Sequence, residues 1–202
     1  MWEYQKQLEY PIRIRRPDAR AARIILSQYG GPNGELGASL RYLSQKFAMP
    51  DRQVAGLLND IGTEELAHLE MVGTIVRQLT RNLTPEQIKE GGFEAYFTDH
   101  TIGVYPASAS GVPFDAAGIQ SVGDPIADLA EDMSAEQKAR VTYDNILTLV
   151  DDPDVCDPIR FLREREIVHF QRFGEALGKI RDRLNSRNFY AFNPAYRADC
   201  EE

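Results

Sequence analysis

Two four-residue motifs in the chain combine a carboxylate with an imidazole at the same spacing, Glu65-Leu66-Ala67-His68 and Glu166-Ile167-Val168-His169. In a helix, residues three apart lie one turn along the axis and about 60° round it, so both side chains reach one point. Glu35 and Glu136 complete a set of four carboxylates and two imidazoles. One Glu from each of two helices, with Glu-x-x-His from each of two others, is the donor set of a dinuclear carboxylate metal site. The spacing repeats: adding 101 to Glu35, Tyr42, Glu65 and His68 gives Glu136, Tyr143, Glu166 and His169. The chain therefore reads as two copies of one helix hairpin about an approximate two-fold axis, with two cations side by side. One exposed Glu–His pair would be an ordinary solvated helix pair. Two matched pairs among three histidines, each in an apolar frame (Ile61, Leu66, Leu69; Phe161, Ile167, Val168, Phe170), are not. Inward carboxylates without a cation would be costly.

Four rods must bring these groups together. The first begins after Asp18, a natural N-cap, with Ala21, Ile24, Ile25 and Tyr29 on one face. It is interrupted at Gly30-Gly31-Pro32-Asn33-Gly34 and resumes from Glu35 to about Phe47. The second covers 51–81, with Val54, Leu57, Leu58, Ile61, Leu66 and Leu69 at helical spacing. The third runs from Asp124-Pro125 to Val150, and the fourth from about 154 to 184 after the turn Asp151-Asp152-Pro153-Asp154. Short links between first and second, and between third and fourth, make antiparallel neighbours. A short helix near 85–90 and a glycine-rich irregular stretch over 91–123 separate the second and third. That crossover lets them run parallel, the ferritin-like variant of the all-α four-helix bundle. Residues 1–17 read as an extended arm, 185–202 as an irregular tail, and 1–202 as one domain.

Composition narrows the function classes. The chain has 202 residues, 43% hydrophobic and 27% charged, with two cysteines, too few for a disulfide framework. No apolar run approaches the roughly 20 residues a spanning helix needs, so no membrane partner is expected. MWEYQKQLEY lacks a secretory core, so no signal peptide is expected. The formal net charge of -8 disfavours nucleic acid as a partner. Oxygen-rich ligation with two imidazoles and no thiolate suits Mn or Fe, and ligand type does not separate them. Glu64 and Glu164 sit about 100° off the ligand faces and are expected to be solvated or paired with Arg163 or Arg165. His100 reads as a loop histidine, Cys156 and Cys200 as unpaired thiols, and Lys179 to Arg187 as a solvated basic face.

The segments GGPNGELGASLRYLSQKF, DIGTEELAHLEMVGTIV, GDPIADLAEDMSAEQKARVTY and LREREIVHFQRF resemble the manganese catalases, most of all the short members associated with bacterial spore coats. The resemblance covers nearly the whole chain. It implies two manganese ions that disproportionate hydrogen peroxide to water and oxygen by cycling between Mn(II) and Mn(III) pairs. Glu35 and His68 would bind one manganese, Glu136 and His169 the other, and Glu65 would bridge. Glu166 would be the catalytic acid–base group rather than a ligand. Tyr42 would hydrogen-bond Glu35, and Tyr143 is read as core. Some members carry Arg directly before the third Glu ligand, where this chain has Ala135. The resemblance further implies a homo-oligomer, often a hexamer, located in the cytoplasm or the spore coat with coat proteins as possible partners. Phe189, Tyr190, Phe192 and Tyr196 of the tail could anchor a neighbour. A di-iron oxidase or peroxide reductase, and a non-catalytic metal-containing coat component, are the competing readings.

Overall fold

The structure, a computed structural model, describes residue 5 and residues 7–186. Trp2, Tyr4, the tail aromatics and Cys200 lie outside the described residues.

Capping sets where each helix begins. Asp18 accepts from the Ala21 amide and opens α1, Ala19–Gly30. Gly30 ends it against the crossover: a Cβ there would lie 2.3 Å from the Pro106 carbonyl carbon, so only glycine fits. The chain turns through 31–34 and re-enters a helix at once, so Glu35 is the first residue of α2, Glu35–Gln45. Asp51 accepts from the Gln53 and Val54 amides and starts α3, Arg52–Thr80. A capping box between Thr84 and Gln87 builds α4, Pro85–Glu90. Next comes α5, Glu94–His100, inside the stretch expected to be irregular. Asp124 caps α6, Pro125–Leu149, with proline in its first turn, and α7 runs Pro153–Ser186. Two 3-10 turns, Lys46–Ala48 and Ala116–Gly118, and one isolated bridge between Ala107 and Pro113 complete the described structure.

Cross-contacts give the directions. The Asp18 amide donates to the Leu79 carbonyl at 2.9 Å and the Ser39 hydroxyl to the Gly62 carbonyl at 2.7 Å, so α1 and α2 form one broken rod antiparallel to α3. Arg163 pairs with Asp144, and Gly174 faces Met133, so α7 returns antiparallel along α6. Gln28 donates to the Ala139 carbonyl and Tyr42 to Glu136, which sets the first rod antiparallel to α6. Hence α3 and α6 are parallel, and the 81–124 connection is the crossover of a ferritin-like bundle.

The apolar interior is divided. One cluster includes Ile25, Met71, Ile75, Leu79, Tyr143, Ile146 and Ile159; the other includes Tyr42, Leu58, Ile61, Leu129, Phe173 and Ile180. Each fully buried aliphatic side chain in them is worth about 1.5–3 kcal/mol. The cost of burying a polar layer between them is thereby carried by packing above and below it.

The arm over residues 7–17 has no helix or strand and buries Ile12 and Ile14. Gln78 holds it, donating to the Ile12 carbonyl at 3.0 Å and accepting from the Ile14 amide at 2.7 Å. Cys156 lies in the first turns of α7; it is buried, and its thiol donates to the Val150 carbonyl. Lys179 and Arg183 are not merely solvated, because both hold the buried Asp51 carboxylate.

Candidate metal centre

Helix periodicity points all six expected side chains into the seam between the two apolar clusters. Glu35 comes from α2, Glu65 and His68 from α3, Glu136 from α6, and Glu166 and His169 from α7. None is more than 2% exposed. Glu65 sits between the imidazoles, with Oε2 2.7 Å from His68 Nδ1 and Oε1 2.8 Å from His169 Nδ1. Glu35 Oε2 lies 3.8 Å from His68 Nδ1, and Glu136 Oε2 lies 3.5 Å from His169 Nδ1. The two rings are stacked, with centroids 5.7 Å apart.

The donor atoms fall into two groups, each with its atoms within 4.8 Å of one another: Glu35, Glu65, His68 and Glu166, and Glu65, Glu136 and His169. Glu65 belongs to both. The carboxylate of Glu166 thus has an oxygen within 4.8 Å of the donor atoms of Glu35, Glu65 and His68. Two inward carboxylate atoms have no hydrogen-bond partner: Oε2 of Glu136 and Oε1 of Glu166. An unsatisfied buried polar group costs about 1–3 kcal/mol. Lone pairs converging from carboxylates and imidazole Nδ1 atoms are satisfied by cations. The donor set fits two oxygen-preferring ions such as Mn or Fe.

The electrostatics say the same in terms of protons. Burial, reinforced by the Glu65 charge, pushes Glu35 up to about 8. Burial and the neighbouring Glu136, Glu35 and Glu65 charges hold Glu166 well above the usual carboxylate range. Burial also works against the charged form of Glu65, but the two imidazoles overcome it and lower its pKa. Burial opposes protonation of His169, yet Glu65 and the other carboxylates raise it to about 12, and His68 is raised for the same reasons. Protons on these side chains compete with cations for one compensating role.

Two tyrosines hold the outer carboxylate oxygens. Tyr42 donates to Glu136 Oε1 and Tyr143 donates to Glu35 Oε1. This corrects the expectation for Tyr42. Seven residues along one helix is about 10.5 Å, too far for its hydroxyl to meet Glu35, and the phenol crosses the bundle instead. Tyr143, read as core, is the group on Glu35. Burial raises both phenols well above their usual value, so they stay donors.

Glu64 also does more than sequence reasoning assigned. It pairs with Arg165 at 2.6 Å, and its carboxylate lies 3.6 Å from His68 Nε2 and 3.3 Å from His169 Nε2, behind both rings. Such partners fix which imidazole nitrogen faces a metal. Glu164 contacts Arg163 at the surface. His100 closes α5 and stacks on Tyr105, with ring centroids 4.0 Å apart. No helix among the described residues is long and apolar enough to cross a membrane.

A sequence profile described as manganese containing catalase matches residues 1–189. The chain is 48% identical over 190 residues to Protein CotJC of Bacillus subtilis, covering 94% of this chain and all of that one. It is 34% identical to a probable manganese catalase of Clostridium acetobutylicum, covering 94% of this chain and 85% of that one. Among solved structures it superposes on KatB, a manganese catalase from Anabaena, with a TM-score of 0.83 and 31% identity, over 89% of this chain and 81% of that one.

Proposed function

The chain belongs to the family of manganese-containing catalases, and we propose that it disproportionates hydrogen peroxide to water and oxygen at a pair of manganese ions. One observation carries this reading: two groups of buried donors meet at the shared carboxylate of Glu65. Glu35 and His68 would hold one ion, Glu136 and His169 the other, and Glu65 would lie between them. When bound, the ions supply two-electron cycling between Mn(II) and Mn(III) pairs, so that two peroxides are converted without a released radical.

The side chains supply the proton chemistry. Oxidising peroxide to oxygen removes two protons, and reducing it to water consumes two. Glu166 is the group suited to hold one between the half-reactions. It is buried, pressed toward its neutral form by burial and by three carboxylates, and its Oε1 has no partner. A cation beside it would lower its pKa again, and that balance brings a carboxyl group near working pH as acid and base. Tyr42 and Tyr143 hold Glu136 and Glu35 in register, and Glu64 holds the two rings. The apolar clusters on either side keep bulk water from the reacting atoms.

The same resemblance supports a homo-oligomer, a hexamer, placed in the spore coat or the cytoplasm; light scattering on the purified protein measures the copy number. Oxygen release from peroxide, with metal analysis on the same sample, tests the activity. The expected result is two manganese per chain and rapid oxygen evolution. Iron with no oxygen release would favour a di-iron oxidase or peroxide reductase. Manganese with no oxygen release would favour a structural coat component.

A further inference from the structure

One buried stripe belongs to neither apolar cluster and continues past the metal donors. Along α6, Asp128, Asp132 and Glu136 recur every four residues, about 6 Å of rise per step on nearly one face, and all three are buried. On α2, Arg41 and Gln45 are also four apart and buried. At the outer end Asp128 accepts from the Val122 and Gly123 amides at 2.9 and 3.1 Å, and Gln45 donates to the Gln120 carbonyl at 2.8 Å. Residues 120–123 are exposed and cover that end. At the inner end stands Glu136, held by Tyr42, the chain neighbour of Arg41. Between the two ends five buried atoms have no hydrogen-bond partner: Nε and Nη1 of Arg41, Oε1 of Gln45 and both carboxylate oxygens of Asp132. Burial raises the Asp132 pKa well above the usual carboxylate range, and the Gln45 amide and the Arg41 charge both work against it, so the three side chains surround one spot.

We propose that Arg41, Gln45 and Asp132 form a transit site for hydrogen peroxide, where peroxide replaces bound water on its way from the 120–123 cover to the metal centre. The inference rests on the catalase reading. The open atoms select the occupant. Arg41 only donates, and Gln45 Oε1 only accepts. Asp132 accepts when ionised and also donates when protonated, so the set mixes donors with acceptors in either state. A simple anion would face the oxygens of Gln45 and Asp132, and a metal cation would face the guanidinium. A small neutral molecule that both donates and accepts satisfies them all. Water does so, and internal water with about three polar partners is the usual remedy for buried groups that are costly to leave unpaired. Hydrogen peroxide, with two O–H donors and two acceptor oxygens, exchanges with that water without loss of hydrogen bonds. Molecular oxygen has no donor and is not held there.

Oxygen-evolution kinetics on the manganese-loaded chain read transit, and crystals of the same proteins read occupancy. Asp132→Leu removes both carboxylate oxygens at similar size. It is expected to keep its manganese and to lower kcat/KM for peroxide by about 10-fold or more, the scale of a lost hydrogen bond to a charged group, with kcat at saturating peroxide changed far less. Asp132→Asn, which keeps a donor and an acceptor in the same shape, is expected to retain most of kcat/KM. Crystals of the unaltered chain are expected to show water density at hydrogen-bond distance from Arg41 and Asp132, a readout that needs no variant to fold and no turnover. A dry cluster in the unaltered chain, or an unchanged kcat/KM in manganese-loaded Asp132→Leu, would overturn the transit site and leave the catalase reading standing. A fall in kcat that tracks lost manganese would mark a structural role and overturn it equally. No oxygen release from the manganese-loaded, unaltered chain would overturn both.

Discussion

The two helix hairpins, residues 19–80 and 125–186, agree on their inner faces and differ on their outer ones. Inward, Glu35, Tyr42, Glu65 and His68 answer Glu136, Tyr143, Glu166 and His169 at one offset, and each tyrosine holds the carboxylate of the opposite hairpin. Outward, the position of Glu64 is matched by Arg165, and these two unlike residues pair with each other. The first hairpin also has a rod broken at 30–34, where the second has an unbroken α6. Groups that converge on a common centre must satisfy the same geometry from both sides. Groups behind them need only satisfy each other, so complementarity replaces repetition there. Even within the inner face the symmetry is incomplete: Glu65 lies between both imidazoles and belongs to both donor groups, whereas Glu166 stands in one group only.

The largest test of that asymmetry is the pair Glu65 and Glu166. Glu65→Ala removes the shared carboxylate and is expected to abolish loading of both ions, read by metal analysis. Glu166→Gln is expected to keep the metal and lose about 100-fold or more in turnover, the usual share of a proton-transfer group. Equal metal loss in both variants would mean that the hairpins contribute alike. A smaller effect is expected from the tyrosines. Tyr42→Phe and Tyr143→Phe should each weaken metal binding by about 10-fold, since partners that orient ligands contribute on that scale. Titrating both variants sharpens the comparison, because a tyrosine that matters only on one side would break the two-fold reading.

The smallest effect concerns the ends of the hairpins, where Asp51 caps α3 and binds Lys179 and Arg183 of α7. Burial opposes its ionisation, but Lys179, the two capped amides and Arg183 win and lower its pKa. A carboxyl group whose folded pKa is depressed stabilises the fold above its unfolded pKa, and that stability is lost as pH falls through the folded value. Asp51→Ala should therefore cost about 1–2 kcal/mol near neutral pH, as for other lost caps, and less in acid. Chemical denaturation at the two pH values measures it.

The sequence carried most of the inner half of this comparison and little of the outer half. Helix limits were legible from the cap at Asp18, from the proline after Asp124 and from apolar periodicity. The six inward residues were legible because Glu-x-x-His spacing is a property of one helix. Contacts between helices were not, since they depend on crossing geometry that no local spacing encodes. Tyr42 was therefore assigned to its own helix's Glu35, Tyr143 to the core, and Glu64 to surface pairing alone. Helix α5 escaped because it has only seven residues and no side-chain cap at Phe93.

The central claim is that six buried side chains from four rods hold two cations side by side. Crystals of protein produced with manganese, measured at energies on either side of the manganese absorption edge, test it most directly. The expected map shows two manganese peaks flanking Glu65, one beside His68 and one beside His169. A map with no transition-metal peak among these residues, or with a single ion away from Glu65, would contradict it.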